Sequence, residues 1–202
     1  MCDGKCTSLN GSNSKAVFTI ECKDIILREF QAEDLDAIYN ITLQPKVKEF
    51  LPDWISTKEQ RREWLIKYDI KENREFFEAA PNIKEQILRL GIILKETNEF
   101  IGWIVSGLKE ELPPPNREIG YAISRDFTCK GYATQAVQGL IEYFFQNTNT
   151  EVLNATARTY NSSSNKVIQK CDFKLIGTMN IEGHDYHYYK LNKGEWEHEN
   201  IN

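Results

Sequence analysis

From Asp24 onward the chain alternates short apolar runs with amphipathic stretches. DIILREF, from Asp24, has the β-branched, apolar character of a strand. In QAEDLDAIYNITLQ, Leu35, Ile38, Tyr39 and Thr42 or Leu43 recur at helical spacing, and Pro45 is expected to end that helix. EFLPDW reads as a loop with exposed aromatics. Ser56 or Thr57 is expected to cap a long charged helix, TKEQRREWLIKYDIKENREFF, with Trp64, Leu65 and Tyr68 as its apolar face. Pro81-Asn82 interrupts it. QILRLGIIL and EFIGWIVSG then read as strands joined by KETN, a hairpin signal. The prolines of ELPPPN remove backbone donors and stiffen a loop. REIGYAISR is a further strand, and CKGYATQAVQGLIEYFFQ is a loop running into a helix. EVLNATAR is a strand, and NSSSNKVIQKC a short helix whose Ser/Asn-rich start suits N-capping. DFKLIGTMNIEG and HDYHYYKLN close as a hairpin through Glu182-Gly183.

That order predicts an α/β fold. Its central sheet is mixed and mostly antiparallel, with one parallel pair joined by a crossover helix. A ligand is expected beyond the strand C-termini of the central strand–loop–helix–strand unit. Residues 1–16, rich in Ser, Asn, Gly and Lys, read as a flexible leader. Residues 24–191 read as a single domain and 192–202 as a C-terminal tail.

Composition narrows the function classes. A chain of 202 residues with 41% hydrophobic and 27% charged residues is an ordinary globular mix. A net charge of −5 argues against a nucleic-acid partner, whose binding surfaces are normally basic. No apolar run approaches the ~20 residues of a membrane span, and the N-terminus lacks the apolar core of a secretory signal. A cytoplasmic location is therefore expected. Cys2, Cys6, Cys22, Cys129 and Cys171 are an odd set without framework spacing, expected to be reduced thiols. Cys2 and Cys6 supply two ligands where a structural zinc site needs four, so no metal is expected.

The start of the helix after Cys129 carries the chemistry. A helix N-terminus presents unpaired N–H groups and a partial positive charge, a ready site for phosphate. Gly131 and Ala133 leave that backbone unshielded, Lys130 adds a charge, and Thr128 and Thr134 add hydroxyls. The spacing matches neither the nucleotide P-loop nor the dinucleotide fingerprint. Small residues at a helix start also serve helix–sheet packing, so this stretch alone leaves both readings open.

The T-x-x-G-x-A pattern between strand and helix resembles the acetyl-CoA motif of the GNAT N-acetyltransferase superfamily, Gln/Arg-x-x-Gly-x-Gly/Ala. KGYATQAVQGLIEYFF is similar to its RimJ/RimL-like, ribosomal-protein branch. NSSSNKVIQKCDF resembles the family's second motif at Asn161, Ser164, Val167, Lys170 and Phe173. LQPKVKEFLPDW is similar to the branch's loop between its first two helices, and REIGYAI to the strand before the pyrophosphate loop. The resemblance runs from about Asp24 to Leu191. Thr128 stands where the family has Gln or Arg, Cys129 for a common glycine, Gln135 for a common glutamate and Asp172 for the glycine before Phe173.

The resemblance implies acetyl transfer from acetyl-CoA to a primary amine by direct attack, without a covalent acyl-enzyme. It implies that Ile123 and Arg125 meet the pantetheine through backbone, that Thr128, Cys129, Lys130, Gly131, Tyr132, Ala133 and Thr134 surround the pyrophosphate, and that Asn161 and Ser164 support the arm. An alkylammonium must lose a proton before it attacks. Glu118, on the strand leading to the acetyl site, is the candidate base; the other reading is a solvent-facing strand glutamate. The tyrosine that several relatives use for the leaving thiolate is Ile168 here, which leaves Tyr132 and Ser164 as candidates. Phe50, Leu51 and Trp54, with Trp64, are expected to wall the amine site. The histidines, His184, His187 and His198, all lie toward the C-terminal end, and His184 and His187 are expected at turn and strand surfaces. Acceptor classes left open are a protein N-terminus and small amines. Relatives are often dimers, so a homodimer is among the expectations. The altered loop also keeps a second reading, a catalytically silent acyl-CoA-binding module acting as sensor or scaffold.

Overall fold

Eight strands lie in one sheet, in the order β1-β2-β3-β4-β5-β6-β8-β7. The computed structural model describes residues 17–200, so the leader expected over 1–16, with Cys2 and Cys6, lies outside the described residues. The strands are β1 (Thr19–Glu21), β2 (Ile25–Glu29), β3 (Leu88–Leu94), β4 (Glu99–Leu108), β5 (Arg117–Ile123), β6 (Val152–Arg158), β7 (Lys174–Ile181) and β8 (His184–Asn192). The helices are α1 (Leu35–Thr42), α2 (Pro45–Phe50), α3 (Lys58–Trp64), α4 (Ile70–Ala79), α5 (Tyr132–Asn147), α6 (Ser162–Lys170) and α7 (Lys193–Asn200). Every neighbouring pair of strands is antiparallel except β5 and β6. The hairpins read from KETN and Glu182-Gly183 are both present. Glu182 and Gly183 adopt φ of 50° and 79°, as a tight two-residue hairpin turn requires.

Side-chain alternation divides the sheet into two faces. On one, Leu27, Leu90, Ile104, Ile119, Leu153, Ala155 and Tyr189 pack beneath Val137, Leu140 and Phe144 of α5 and Ile168 of α6. On the other, Trp103 and Ala122 pack with Phe30, Leu35, Ile38, Val47 and Leu65 from the α1–α3 region. Glu118 and Ala122 alternate onto this second face, and Ile119 and Tyr121 onto the first.

Several local expectations are corrected. Pro45 does not merely end α1; it opens α2 at its first position, where its missing N–H costs nothing. EFLPDW completes α2 and continues as a single 3-10 turn, Pro52–Trp54. Thr57 caps α3 with its hydroxyl oxygen on the Gln60 N–H. Tyr68 is not on the apolar face of the long helix: it is exposed. A π turn over Leu65–Asp69 joins α3 to α4, and the buried positions are Arg61, Leu65, Asp69, Asn73 and Phe76. Four-residue steps drift about 40° per turn on a regular α-helix, and the wider π turn resets that stripe. Within the expected tail, Lys193–Asn200 is helical, with the Trp196 ring 5.5 Å from that of Phe145. The short β1 was not anticipated; it pairs with β2.

Candidate active site

Strands β5 and β6 meet at one register pair, Glu118 with Asn154, and then part. Residues 119–123 of β5 therefore keep β4 on one edge and face an open gap on the other. Gly102 fixes the β4 side of this arrangement. A Cβ there would lie 2.2 Å from the Ala122 carbonyl oxygen, so only glycine permits the close approach. Beside it Ile101 is an extra, bulged residue, since Ile92 pairs with Gly102 and Ile93 with Phe100. Its carbonyl accepts from Ser124 N–H at 2.8 Å and turns the chain out of β5.

The loop beyond β5 leads to α5. Gly131 is the N-cap, at φ +84°, and no side chain caps the helix. A Cβ on Gly131 would meet nothing within 4 Å, so the approach is open. The N–H groups of Tyr132, Ala133 and Thr134 precede the first intrahelical donor, Gln135, which bonds the Gly131 carbonyl at 3.0 Å. A left-handed residue followed by a right-handed one turns successive N–H groups to one side, as anion nests do. Cys129 is exposed and also left-handed, at φ +62°. The Lys130 ammonium lies 5.2 Å over the Phe127 ring, beside this opening.

Some candidates are already engaged. Arg125 N–H donates to Gln44 Oε1 at 2.9 Å, and its carbonyl accepts from the Thr128 hydroxyl at 2.8 Å. Gln44 also donates to Ser124 Oγ at 3.0 Å, tying the α1–α2 junction to this loop. Gln135, where a glutamate was expected, makes a reciprocal pair with Asp24: it accepts from Asp24 N–H at 2.8 Å and donates to Asp24 Oδ2 at 2.7 Å. That substitution serves the β1–β2 turn. The Tyr132 ring packs against the core of the α5 face.

At the narrow end of the gap Glu118 is held from two sides. The Thr156 hydroxyl donates to its carboxylate, and Lys109 Nζ lies 3.4 Å from Oε2. Burial raises its pKa, against the opposing pull of Lys109 and the Thr156 hydrogen bond. The reading of Glu118 as an ordinary solvent-facing residue does not fit this setting.

Across the gap Asn161 caps α6, accepting from Ser164 N–H at 3.2 Å. The Ser164 carbonyl accepts from the Tyr121 hydroxyl at 3.3 Å. Tyr121 therefore spans from β5 to α6, and burial raises its pKa. Sequence reading missed it because its strand looked merely apolar. It also missed Asn165, which donates to the carbonyls of Arg158 and Asn161 at 2.9 and 2.8 Å and accepts from the Tyr189 hydroxyl at 2.7 Å. Leu51 and Trp54, two of the residues expected beside an amine, pack on the second face. Trp54 stacks on Trp103 with ring centroids 4.4 Å apart. Phe50 meets Tyr160 at 5.6 Å, joining α2 to the turn after β6. Leu51 packs against the same cluster as Trp54. The Arg61 guanidinium lies over both Trp54 and Trp64, 5.2 and 5.4 Å from the ring centroids.

The open parallel pair, the bare helix start and the buried carboxylate lie within one stretch of the chain that matches a known family. Residues 24–174 match the profile of the Acetyltransferase (GNAT) domain. The chain belongs to this acetyltransferase family. Among curated relatives, the uncharacterized N-acetyltransferase YnaD of Bacillus subtilis is 27% identical over 183 residues, covering 88% of this chain and 98% of that protein. The uncharacterized N-acetyltransferase p20 of Bacillus licheniformis is 26% identical over 163 residues, covering 80% and 85%. In fold, this acetyltransferase is similar to RimL, a ribosomal L7/L12 alpha-N-protein acetyltransferase: TM-score 0.70, 21% identity, 92% of this chain and 99% of that one. It is also similar to AAC(6')-Ib solved with an aminoglycoside and acetyl-CoA: TM-score 0.67, 18% identity, 87% and 97%. As an N-acetyltransferase, the chain has no helix among the described residues long and apolar enough to cross a membrane.

Proposed function

We propose that this N-acetyltransferase transfers acetyl from acetyl-CoA to a primary amine by direct attack, with Glu118 as the base. The observation that carries the reading is the uncapped, side-chain-free start of α5 at Gly131, lying beyond the gap between β5 and β6. Such a start suits a pyrophosphate, whose charge complements both the helix dipole and Lys130. Tyr132, Ala133 and Thr134 offer it N–H groups. The unpartnered edge of β5 around Ile123 offers backbone to pantetheine amides, and Asn161 and Ser164 border the other side of the gap. Arg125 and the Thr128 hydroxyl contribute by shaping the loop, since their polar groups are engaged within it. Acetyl-CoA supplies the acetyl group activated as a thioester.

The amine arrives on the second face, between Glu118 and the wall of Phe50, Leu51 and Trp54. Glu118 takes a proton from the ammonium. A carboxylate with a raised pKa holds that proton better than an ordinary one at neutral pH. The Tyr132 ring packs on the core and the Tyr121 hydroxyl is spent on the Ser164 carbonyl. The Ser164 hydroxyl, whose residue is engaged only through its backbone, is the group offered to the leaving sulfur.

Calorimetry with acetyl-CoA, using Gly131→Asp as control, tests the cradle. The wild type is expected to bind at micromolar levels. The variant is expected to lose at least tenfold, because it adds a carboxylate to the anion site and a side chain at positive φ. Equal binding by both would remove the pyrophosphate assignment. Amine-dependent release of CoA then separates the enzyme from a silent acyl-CoA-binding module, which would bind without turnover.

A further inference from the structure

The sheet face that carries Glu118 has a second charged feature that acetyl transfer itself does not use. On β6, Asn154, Thr156 and Arg158 alternate onto this face. Their register partners on β8 are Lys190, Tyr188 and Tyr186. Arg158 Nε donates to the Tyr186 hydroxyl at 3.1 Å, and its guanidinium lies 5.4 Å over the Tyr186 ring. Lys190 lies 5.5 Å over the Tyr188 ring, and Tyr188 is anchored by its hydroxyl to Asn154 Oδ1 at 2.9 Å. Among the described residues neither Arg158 nor Lys190 has a carboxylate partner. Both cations are thus held in place by tyrosines and left uncompensated. The nearby carboxylate, Glu118, is already matched by Lys109.

A guanidinium fixed through Nε keeps its two terminal nitrogens for another ligand, in the fork geometry that suits a carboxylate. Arg158 follows Thr156 by two residues on one face, about 7 Å along the strand, and Thr156 holds the proposed base. An α-amino acid's own carboxylate is too near its amine to span that step. A side-chain carboxylate one or two residues into a peptide is not. We infer that Arg158 is a specificity residue that receives a carboxylate of the acceptor, and that the preferred acceptor is an acidic peptide N-terminus. The same two cations disfavour polycationic amines by like-charge repulsion. The inference rests on the acetyltransferase reading of Glu118's face and deepens it.

The test uses the full chain with acetyl-CoA and follows CoA release. Four amines are compared: a peptide with Glu at position 2, the same peptide with Lys there, free glutamate, and paromomycin as polycation. The acidic peptide is expected to have the highest kcat/KM. Arg158→Ala and Arg158→Gln are expected to lower that value about tenfold to a hundredfold, mainly through KM. They should leave acetyl-CoA affinity unchanged and should not lower use of the Lys peptide, which loses a like-charge neighbour. Arg158→Lys should recover part of the loss, and Tyr186→Phe should lose part of it. Equal use of the acidic and basic peptides, or a preference that survives Arg158→Ala, overturns the inference, as does a preference for free glutamate or paromomycin. If acetyl-CoA binds but no amine is turned over, the enzymatic reading fails separately. The Arg158 assignment is then decided by affinity: the CoA-loaded chain must bind the acidic peptide more tightly than the basic one, and Arg158→Ala must abolish the difference.

Discussion

The Thr156 hydroxyl donates to the Glu118 carboxylate across the point at which β5 and β6 separate. The bond fixes the carboxylate at the closed end of the gap, and burial favours its neutral form. A base must be ionised to work, and the ionised fraction of Glu118 grows as pH rises through its elevated pKa. The acid limb of kcat/KM is therefore expected above the ordinary carboxylate range. Glu118→Gln should abolish that limb and lower turnover by about 10²–10⁴, while acetyl-CoA affinity stays the same. A limb within the ordinary range, or an active glutamine variant, would remove Glu118 from the reaction.

Lys109 sets where that limb falls. Its ammonium, 3.4 Å from Glu118, favours the carboxylate and so opposes the effect of burial. Removing the charge with Lys109→Met takes away the opposing influence. The acid limb should move to higher pH, with turnover at alkaline pH little changed. An unmoved limb would mean that solvent screens the pair.

Cys129 bears on stability. It is exposed and holds φ +62°, where a β-carbon costs about 1–2 kcal/mol. Cys129→Gly relieves this and gives back part through the freer unfolded chain. A net gain of up to about 1 kcal/mol is expected in urea denaturation. No gain would mean that the thiol contributes a contact that offsets the strain.

Gly102 shows the opposite constraint, closeness rather than dihedral freedom. Its missing Cβ makes room for the Ala122 carbonyl, a backbone atom that cannot turn aside. Gly102→Ala must push β4 from β5 next to the bulge at Ile101. A loss of about 2 kcal/mol or more is expected by urea denaturation, together with weaker acetyl-CoA binding, since the displaced edge borders the gap. A variant with wild-type stability would show that the two strands slide apart at little cost.

Much of this was legible in the chain, for physical reasons. Alternating apolar runs marked seven of the strands. The Gly131 helix start was visible because a glycine ahead of an amphipathic run leaves the first turn bare of side chains. The long helix was found, and Leu65 is buried as expected, but the rest of its buried stripe was not legible: Arg61, Asp69 and Asn73 are polar, and hydrophobic spacing cannot register a core of paired charges. Arg61 and Asp69 pair there, and Arg89 Nε lies 3.3 Å from Asp69 Oδ1. Pro45 was ambiguous because proline both stops helices and starts them. Gln135 looked like a damaged motif position until its partner, Asp24, 111 residues away, came into view. Arg158 and Tyr121 act through partners on other strands and helices, and linear spacing carries no trace of them.

Asn165 joins α6 to β6 and β8, and its loss should register both in stability and in a histidine tautomer. Its amide nitrogen is committed to the Arg158 and Asn161 carbonyls, so its oxygen must be the group that faces Tyr189 and His187. That oxygen is an acceptor 2.9 Å from His187 Nδ1, which places the imidazole hydrogen on Nδ1. Asn165→Ala leaves the fully buried Tyr189 hydroxyl and two carbonyls without this partner, at a cost of about 2–4 kcal/mol. Asn165→Asp keeps one acceptor but sets a carboxylate oxygen against both carbonyls in a buried position, and should cost at least as much as Asn165→Ala. Imidazole nitrogen shifts in NMR should report the Nδ1–H tautomer in the wild type and a mixture in Asn165→Ala. Stability unchanged in Asn165→Ala would mean that water replaces the amide, and an unchanged tautomer would mean that His187 takes its orientation from another neighbour.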